Sequence, residues 1–224
     1  MAKDIKPKTI FIVGLGNPGK KYYNTPHSAG FAVIDEFAKR FEFPKFKMES
    51  DGILISKKEI CDGAREIGDI RTRELAATMG NFGSGTVILA KPQMFMNNSG
   101  KALSKLFVCQ KIKKTKSYSN LWVVNDDLDI PLGKIKIAKN RGSAGHKGVQ
   151  SIIDQLKTKN FIRFRVGIQT PEITVKKIPA DKFVLKKLSL QNQSVFNEAI
   201  NWAVDSLASA LASGIDSAMT KFNK

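Results

Sequence analysis

The chain has 224 residues, 42% of them hydrophobic and 25% charged, and its 37 Lys and Arg against 20 Asp and Glu give a net charge of +17. That length supports one well-buried domain rather than two, and no stretch approaches the roughly 20 apolar residues that cross a bilayer. Cys61 and Cys109 are too few for a disulfide framework, and with only two histidines they argue against a structural zinc site.

In chain order, residues 1–8 form a short basic tail with neither the apolar core of a secretory signal nor the Arg, Ser and length of a transit peptide. The expected setting is therefore reducing, cytoplasmic or mitochondrial and not secreted. Residues 9–224 read as a single domain. Thr9–Leu15 is a β-branched apolar run and predicts a buried strand. Ala29–Phe41 sets Phe31, Ile34, Phe37, Ala38 and Phe41 at helical spacing. Gly52–Ile60 reads as an edge or surface strand, and Asp62–Gly85, Gly-rich and aperiodic with Arg65, Arg71 and Arg73, as a surface insertion. Val87–Lys91 predicts a buried strand stopped by Pro92, and Ser99–Cys109 a helix with Leu103, Leu106 and Phe107 on one face. Lys111–Asn120 reads as a basic linker. Strands follow at Leu121–Asn125, Lys134–Lys139 and Arg163–Ile168, and helices at Gly148–Leu156 and Ser194–Ala212. Strands interleaved with helices predict an α/β fold, three layers around a mixed, largely parallel sheet.

The charge favours a polyanionic partner, because cations that displace condensed counterions supply affinity without sequence readout. A nucleic acid fits better than a membrane surface, since the basic residues are scattered rather than gathered beside an amphipathic anchor. The plain alternative is a basic surface that serves solubility. Lys134, Lys136, Lys139, Arg163 and Arg165 alternate along strands. Such rows usually mark a solvated face, and with this net charge they become candidates for phosphate contact.

Gly14-Leu-Gly16-Asn17-Pro18-Gly19 matches G-x-G-x-x-G, but Pro18 and a polar loop separate it from the next helix, so the dinucleotide reading is weak. The glycines instead permit a sharp turn and the close approach of a ligand. His27, just past this loop, reads either as a capping loop residue or as a base presented at a strand edge. Asp126, at the end of a buried strand, is placed to orient that base, with Asp127 and Asp129 as competitors. Asn17 and Asn97 are turn residues or amide grips on an ester oxygen or ribose hydroxyl. Phe95 and Met96 are core, or an apolar wall for a terminal base. The stretch Arg141-Gly-Ser-Ala-Gly-His-Lys-Gly148, before a helix, is either an anion cradle or a mobile lid. With no nucleophile of its own, the set suggests hydrolysis by an activated water.

Together the segments resemble the bacterial-type peptidyl-tRNA hydrolases. The carriers are Val13-Gly-Leu-Gly-Asn17-Pro-Gly19 with Tyr22 and His27, Phe95-Met96-Asn97-x-Ser99-Gly100, Asp126-x-Leu128-Asp129 with Pro131 and Gly133, Gly145-His146-x-Gly148, and Phe161-x-Arg163-x-Arg165-x-Gly167-Ile168. They occur in the family's order over roughly residues 9–190. The resemblance implies an α/β/α sandwich, a monomer without metal or cofactor, and cleavage of the ester between a peptide and the 3′ ribose of tRNA. It makes His27 the base, Asp126 its orienter, and Asn17 and Asn97 the holders of the substrate's 3′ end and carbonyl. Tyr22, Phe95 and Met96 line the pocket, while Lys136, Lys139, Arg163 and Arg165 meet tRNA phosphates. The family's usual Asn after the Gly-His pair is Lys147 here, at the substrate side, and the Asn after the base is Ser28. Lys147 leaves room for an alternative, a non-catalytic RNA-binding relative of the same fold.

Overall fold

The computed structural model describes residues 8–50, 52–60, 85–112, 118–176 and 178–224. Seven strands form one sheet: β1 (Lys8–Gly14), β2 (Lys47–Ser50), β3 (Ile53–Ile60), β4 (Gly85–Pro92), β5 (Tyr118–Pro131), β6 (Ile135–Lys139) and β7 (Phe161–Gln169), in the order β2-β3-β4-β1-β5-β7-β6. The central β4, β1, β5 and β7 pair in parallel; β2, β3 and β6 are antiparallel additions at the two sides. The helices are α1 (Ala29–Arg40), α2 (Ser99–Cys109), α3 (Lys147–Leu156), α4 (Pro171–Lys176), α5 (Ala180–Phe183), α6 (Leu190–Ser213) and α7 (Ile215–Phe222).

Alternating side chains divide the core in two, as a sheet buried on both faces requires. On one face Ile10, Ile12, Trp122, Val124, Phe164 and Val166 pack with α1, α6 and α7. On the other, Phe11, Val13, Ile88, Val123 and Phe161 pack with α2 and α3. The fold is the expected α/β/α arrangement in a single domain.

The glycines of the first loop serve packing between elements. A Cβ on Gly14 would fall 2.3 Å from the Gly30 carbonyl oxygen, and one on Gly30 would fall 2.3 Å from Leu15 N and 2.4 Å from Val124 O. Backbone meets backbone there, so the loop that carries His27 is pressed onto β1 and β5 by the start of α1. The close approach expected of a ligand is made by a helix.

Several boundaries differ from the sequence reading. β3 is an interior strand, hydrogen-bonded to β4 and to β2, and the edge is β2, Lys-Met-Glu-Ser, mostly exposed. β2 pairs through its backbone, and its polar residues gave no apolar alternation to detect. β5 begins at Tyr118, inside the segment read as a linker, and runs unbroken to Pro131. The short α4, α5 and α7 were not anticipated. The insertion at 62–85 lies, apart from Gly85, outside the described residues, as does most of the basic tail.

Candidate active site

The parallel strands point their carboxyl ends to one rim of the sheet, where open α/β folds bind ligands. Three segments meet there: the loop after β1 with Asn17 and His27, the turn after β4 with Phe95–Asn98, and the stretch of β5 that carries Asp126, which lies inside the strand rather than at its end as the sequence suggests. The His27 loop is pinned from two directions. Its backbone N–H donates to Val184 O at 2.9 Å, and Thr25 Oγ1 donates to Tyr22 O at 2.8 Å.

Asp126 is buried, and its carboxylate lies 3.0 and 3.1 Å from His27 Nδ1 and 2.9 Å from His146 Nε2. An ionised carboxylate has only acceptors, so both rings donate to it. Burial, the largest single influence on this carboxyl, favours its neutral form. Attraction to His146 and His27, together with the hydrogen bonds from both rings, outweighs burial and holds the group well below the ordinary carboxylate range. Asp126 is therefore held as an anion. With its proton on Nδ1, His27 keeps the lone pair on Nε2, and its side chain retains 11% exposure.

His146 was read at the sequence level as part of an anion cradle or lid, and the structure corrects that reading. It is the N-cap of α3, and its Nδ1 accepts from the backbone N–H groups of Gly148 at 3.1 Å and Val149 at 3.3 Å. The ring occupies donors that an anion would need. Its tautomer follows: Nδ1 has no proton, so Nε2 carries one and gives it to Asp126. The two imidazoles stand 4.8 Å apart between centroids, tilted by 40°. His27, Asp126 and His146 bring ligand-type atoms within 4.8 Å of one another. However, a protonated Nε2 on His146 offers no lone pair, so the set does not suit a metal ion.

Asn17 is buried, and its Oδ1 accepts from Met96 N–H at 2.9 Å, which ties the first loop to the second. Its amide protons have no protein partner among the described residues. Neither Asn17 nor Asn97 has a left-handed backbone, so a left-handed position does not account for either asparagine. Asn97 is exposed in the turn Met96–Asn98, beside Phe95, which is 61% exposed. Met96 is buried. A Cβ on Gly148 would fall 2.4 Å from Met96 Sδ and 3.2 Å from His146 Cε1, so the thioether, the start of α3 and the second imidazole are in close contact. Tyr22 is half-buried, with Lys21 Nζ 4.8 Å from its ring centroid, and Lys147 is exposed.

The basic row is not a uniform solvated face. Lys136 is exposed, and Lys139 pairs with Asp216 of α7. Arg163 is only 2% exposed. Among the described residues its Nε is buried without a partner, its Nη1 reaches Ser143 O at 3.5 Å, and burial followed by repulsion from Arg165 lowers its pKa to about 10. Arg165 donates through Nε to Asp127 Oδ2 at 2.6 Å. Asp127 also accepts the Asp129 N–H at 3.0 Å through Oδ1. Of the three competing aspartates, Asp126 faces the histidines and Asp127 holds a turn and an arginine. Lys136, Lys139, Arg141, Arg163 and Arg165 line one cleft of roughly 550 Å³.

A family model described as peptidyl-tRNA hydrolase matches residues 11–224. The chain belongs to the peptidyl-tRNA hydrolase family. The peptidyl-tRNA hydrolase of Thermodesulfovibrio yellowstonii is 38% identical over 216 residues, spanning 96% of this chain and 99% of that protein. That of Solibacter usitatus is 35% identical over 215 residues, spanning 96% and 94%. Among solved structures, the peptidyl-tRNA hydrolase of Acinetobacter baumannii superposes with a TM-score of 0.72 at 26% identity, covering 95% of this chain and 93% of that one. Among the described residues, no helix is long and apolar enough to cross a membrane.

Proposed function

We infer that His27 is the general base with which this chain hydrolyses the ester between a peptide and the 3′ ribose of tRNA. The observation that carries this reading is the Asp126 carboxylate on Nδ1, which leaves Nε2 unprotonated on a ring that keeps 11% side-chain exposure. Nε2 takes a proton from water as that water attacks the ester carbonyl, and Asp126 stabilises the imidazolium that forms. The carbonyl oxygen becomes an oxyanion, and the uncommitted amide protons of Asn17, with those of Asn97, are the donors for it. The proton then passes from His27 to the departing ribose oxygen. Tyr22, Phe95 and Met96 flank the 3′ end, and Lys147 lies at the substrate side.

The basic cleft takes the tRNA backbone. Lys136 and Arg165 meet phosphate directly, Lys139 once it leaves Asp216, and buried Arg163 acts through its charge from the floor. The non-catalytic alternative is not favoured, because the base, its carboxylate and both amides are all present, and the relatives matched over nearly their whole length are hydrolases.

The test is release of a blocked amino acid from N-acetylated aminoacyl-tRNA by the purified protein. Release above the spontaneous rate is expected, and none would overturn the reading. In the same preparation tRNA affinity should fall steeply with salt. Arg165→Gln should weaken binding and lower the slope of log K against log salt by about one, as the loss of one phosphate contact does. An unchanged slope would remove Arg165 from the phosphate set.

A further inference from the structure

We propose that His146 is a positioning residue for the catalytic histidine. It is a hydrogen-bond donor whose tautomer is set by the backbone of α3, and it decides how Asp126 meets His27. The proposal rests on the reading of His27 as the base.

The argument begins with the first turn of α3. Helix N-termini present N–H groups without intrahelical partners, and here two of them converge on His146 Nδ1. Protonating Nδ1 would break both contacts and place a cation against the positive end of the helix. The ring therefore keeps a single proton, on Nε2. Among the described residues that proton has one acceptor, Asp126 Oδ1 at 2.9 Å, and the ring is 8% exposed.

Two consequences reach the reaction. Asp126 cannot turn away from His27, because Oδ1, which His27 also contacts, is held by His146 Nε2 at 2.9 Å. The charge that Asp126 offers His27 is also moderated, since part of it is spent on His146. The charged and titratable groups against the His146 ring are Asp126 and His27; Lys147, next in the chain, is exposed. Met96 and Leu15 close the apolar side around Gly148. The two rings stand 4.8 Å apart, and among the described residues only His27 keeps a ring nitrogen with no protein partner.

The test needs no variant to begin with, because the chain has two histidines and therefore four ring nitrogens to observe. Ring ¹⁵N–¹H correlation spectra of the whole protein, recorded across the range where histidine titrates, should show one imidazole protonated only at Nε2 throughout. The other should begin protonated at Nδ1 and gain its second proton as the pH falls. A His146 ring that titrates, or that carries its proton on Nδ1, overturns the proposal.

His146→Ala then separates positioning from capping. With one fewer donor on Asp126, the carboxylate favours the His27 imidazolium more strongly, so the rising limb of the kcat–pH profile should move to higher pH. kcat should fall about 10–100-fold, the scale of a hydrogen bond to a charged group. A residue that only capped α3 would lower stability and leave the profile in place, and that result also overturns the proposal. If the wild-type spectra show a neutral His146 but the His27 ring never titrates where activity changes, the reading of His27 as base fails instead.

Discussion

His27→Ala is expected to hydrolyse peptidyl-tRNA about 100-fold or more slowly than the native chain, the scale on which a positioned general base acts. It should bind tRNA nearly as well. The two effects separate because different parts of the molecule supply them. Water attacks an ester slowly unless its proton is removed as the bond forms, and among the described residues His27 Nε2 is the only imidazole lone pair left unpaired by protein. On the proposed reading, affinity comes chiefly from phosphates meeting the basic cleft, and the alanine variant leaves that cleft intact. Single-turnover rates and equilibrium binding on one preparation check both halves. The pH profile of the native chain is a further check, since the rate should rise as His27 loses its proton and then level off. A variant that retains the native rate would show that the base lies elsewhere.

The sequence made much of this legible, and where it did not, the missing information was three-dimensional. Buried strands and amphipathic helices announce themselves by period, which is why β1, β4, α1 and α2 lay close to their expected places. β2 did not, because an exposed edge strand is held by backbone pairing and needs no apolar pattern. His27 stood out because histidines are scarce here and one follows a Gly-rich loop. Choosing among Asp126, Asp127 and Asp129 needed the course of β5. The strand continues through all three, so Asp126 and Asp127 project to opposite faces, one to the histidines and the other to Arg165. Arg163 and Arg165 share a face and a spacing, yet Arg163 is buried and Arg165 only partly so. Alternation gives the face, and only the loop at Ser143 and the C-terminal helix beside the cleft decide how deep a side chain on it lies. His146 was visible as a helix-start residue, but nothing local says that its ring turns one nitrogen to the helix and the other to a carboxylate twenty positions earlier in the chain.

That second imidazole makes Asp126→Asn the most informative substitution. An asparagine keeps the shape of the aspartate but has one oxygen and one amide group where the aspartate has two oxygens. Two N–H groups point at this side chain, and only one is free to change. His146 is fixed as an Nε2–H donor by the backbone of α3, so the asparagine oxygen takes the Oδ1 place, 2.9 Å from His146 Nε2 and 3.1 Å from His27 Nδ1, and its amide takes the Oδ2 place, at the shorter contact of 3.0 Å to His27 Nδ1. The amide donates, so His27 Nδ1 becomes an acceptor and the ring proton moves to Nε2. The base is then protonated where water should lose its proton. A loss of about 10³–10⁴-fold in kcat is expected, the scale seen when an orienting carboxylate becomes an amide and traps the wrong tautomer. tRNA affinity should be almost unchanged, and a large loss of affinity would make Asp126 a structural residue instead. The trap also predicts its own release. Adding His146→Ala to Asp126→Asn frees the amide to flip, returns an oxygen to His27 Nδ1, and should raise the rate above that of Asp126→Asn alone. Two independent losses would multiply; a recovery on removing a second side chain is the outcome that a shared carboxylate between two histidines requires.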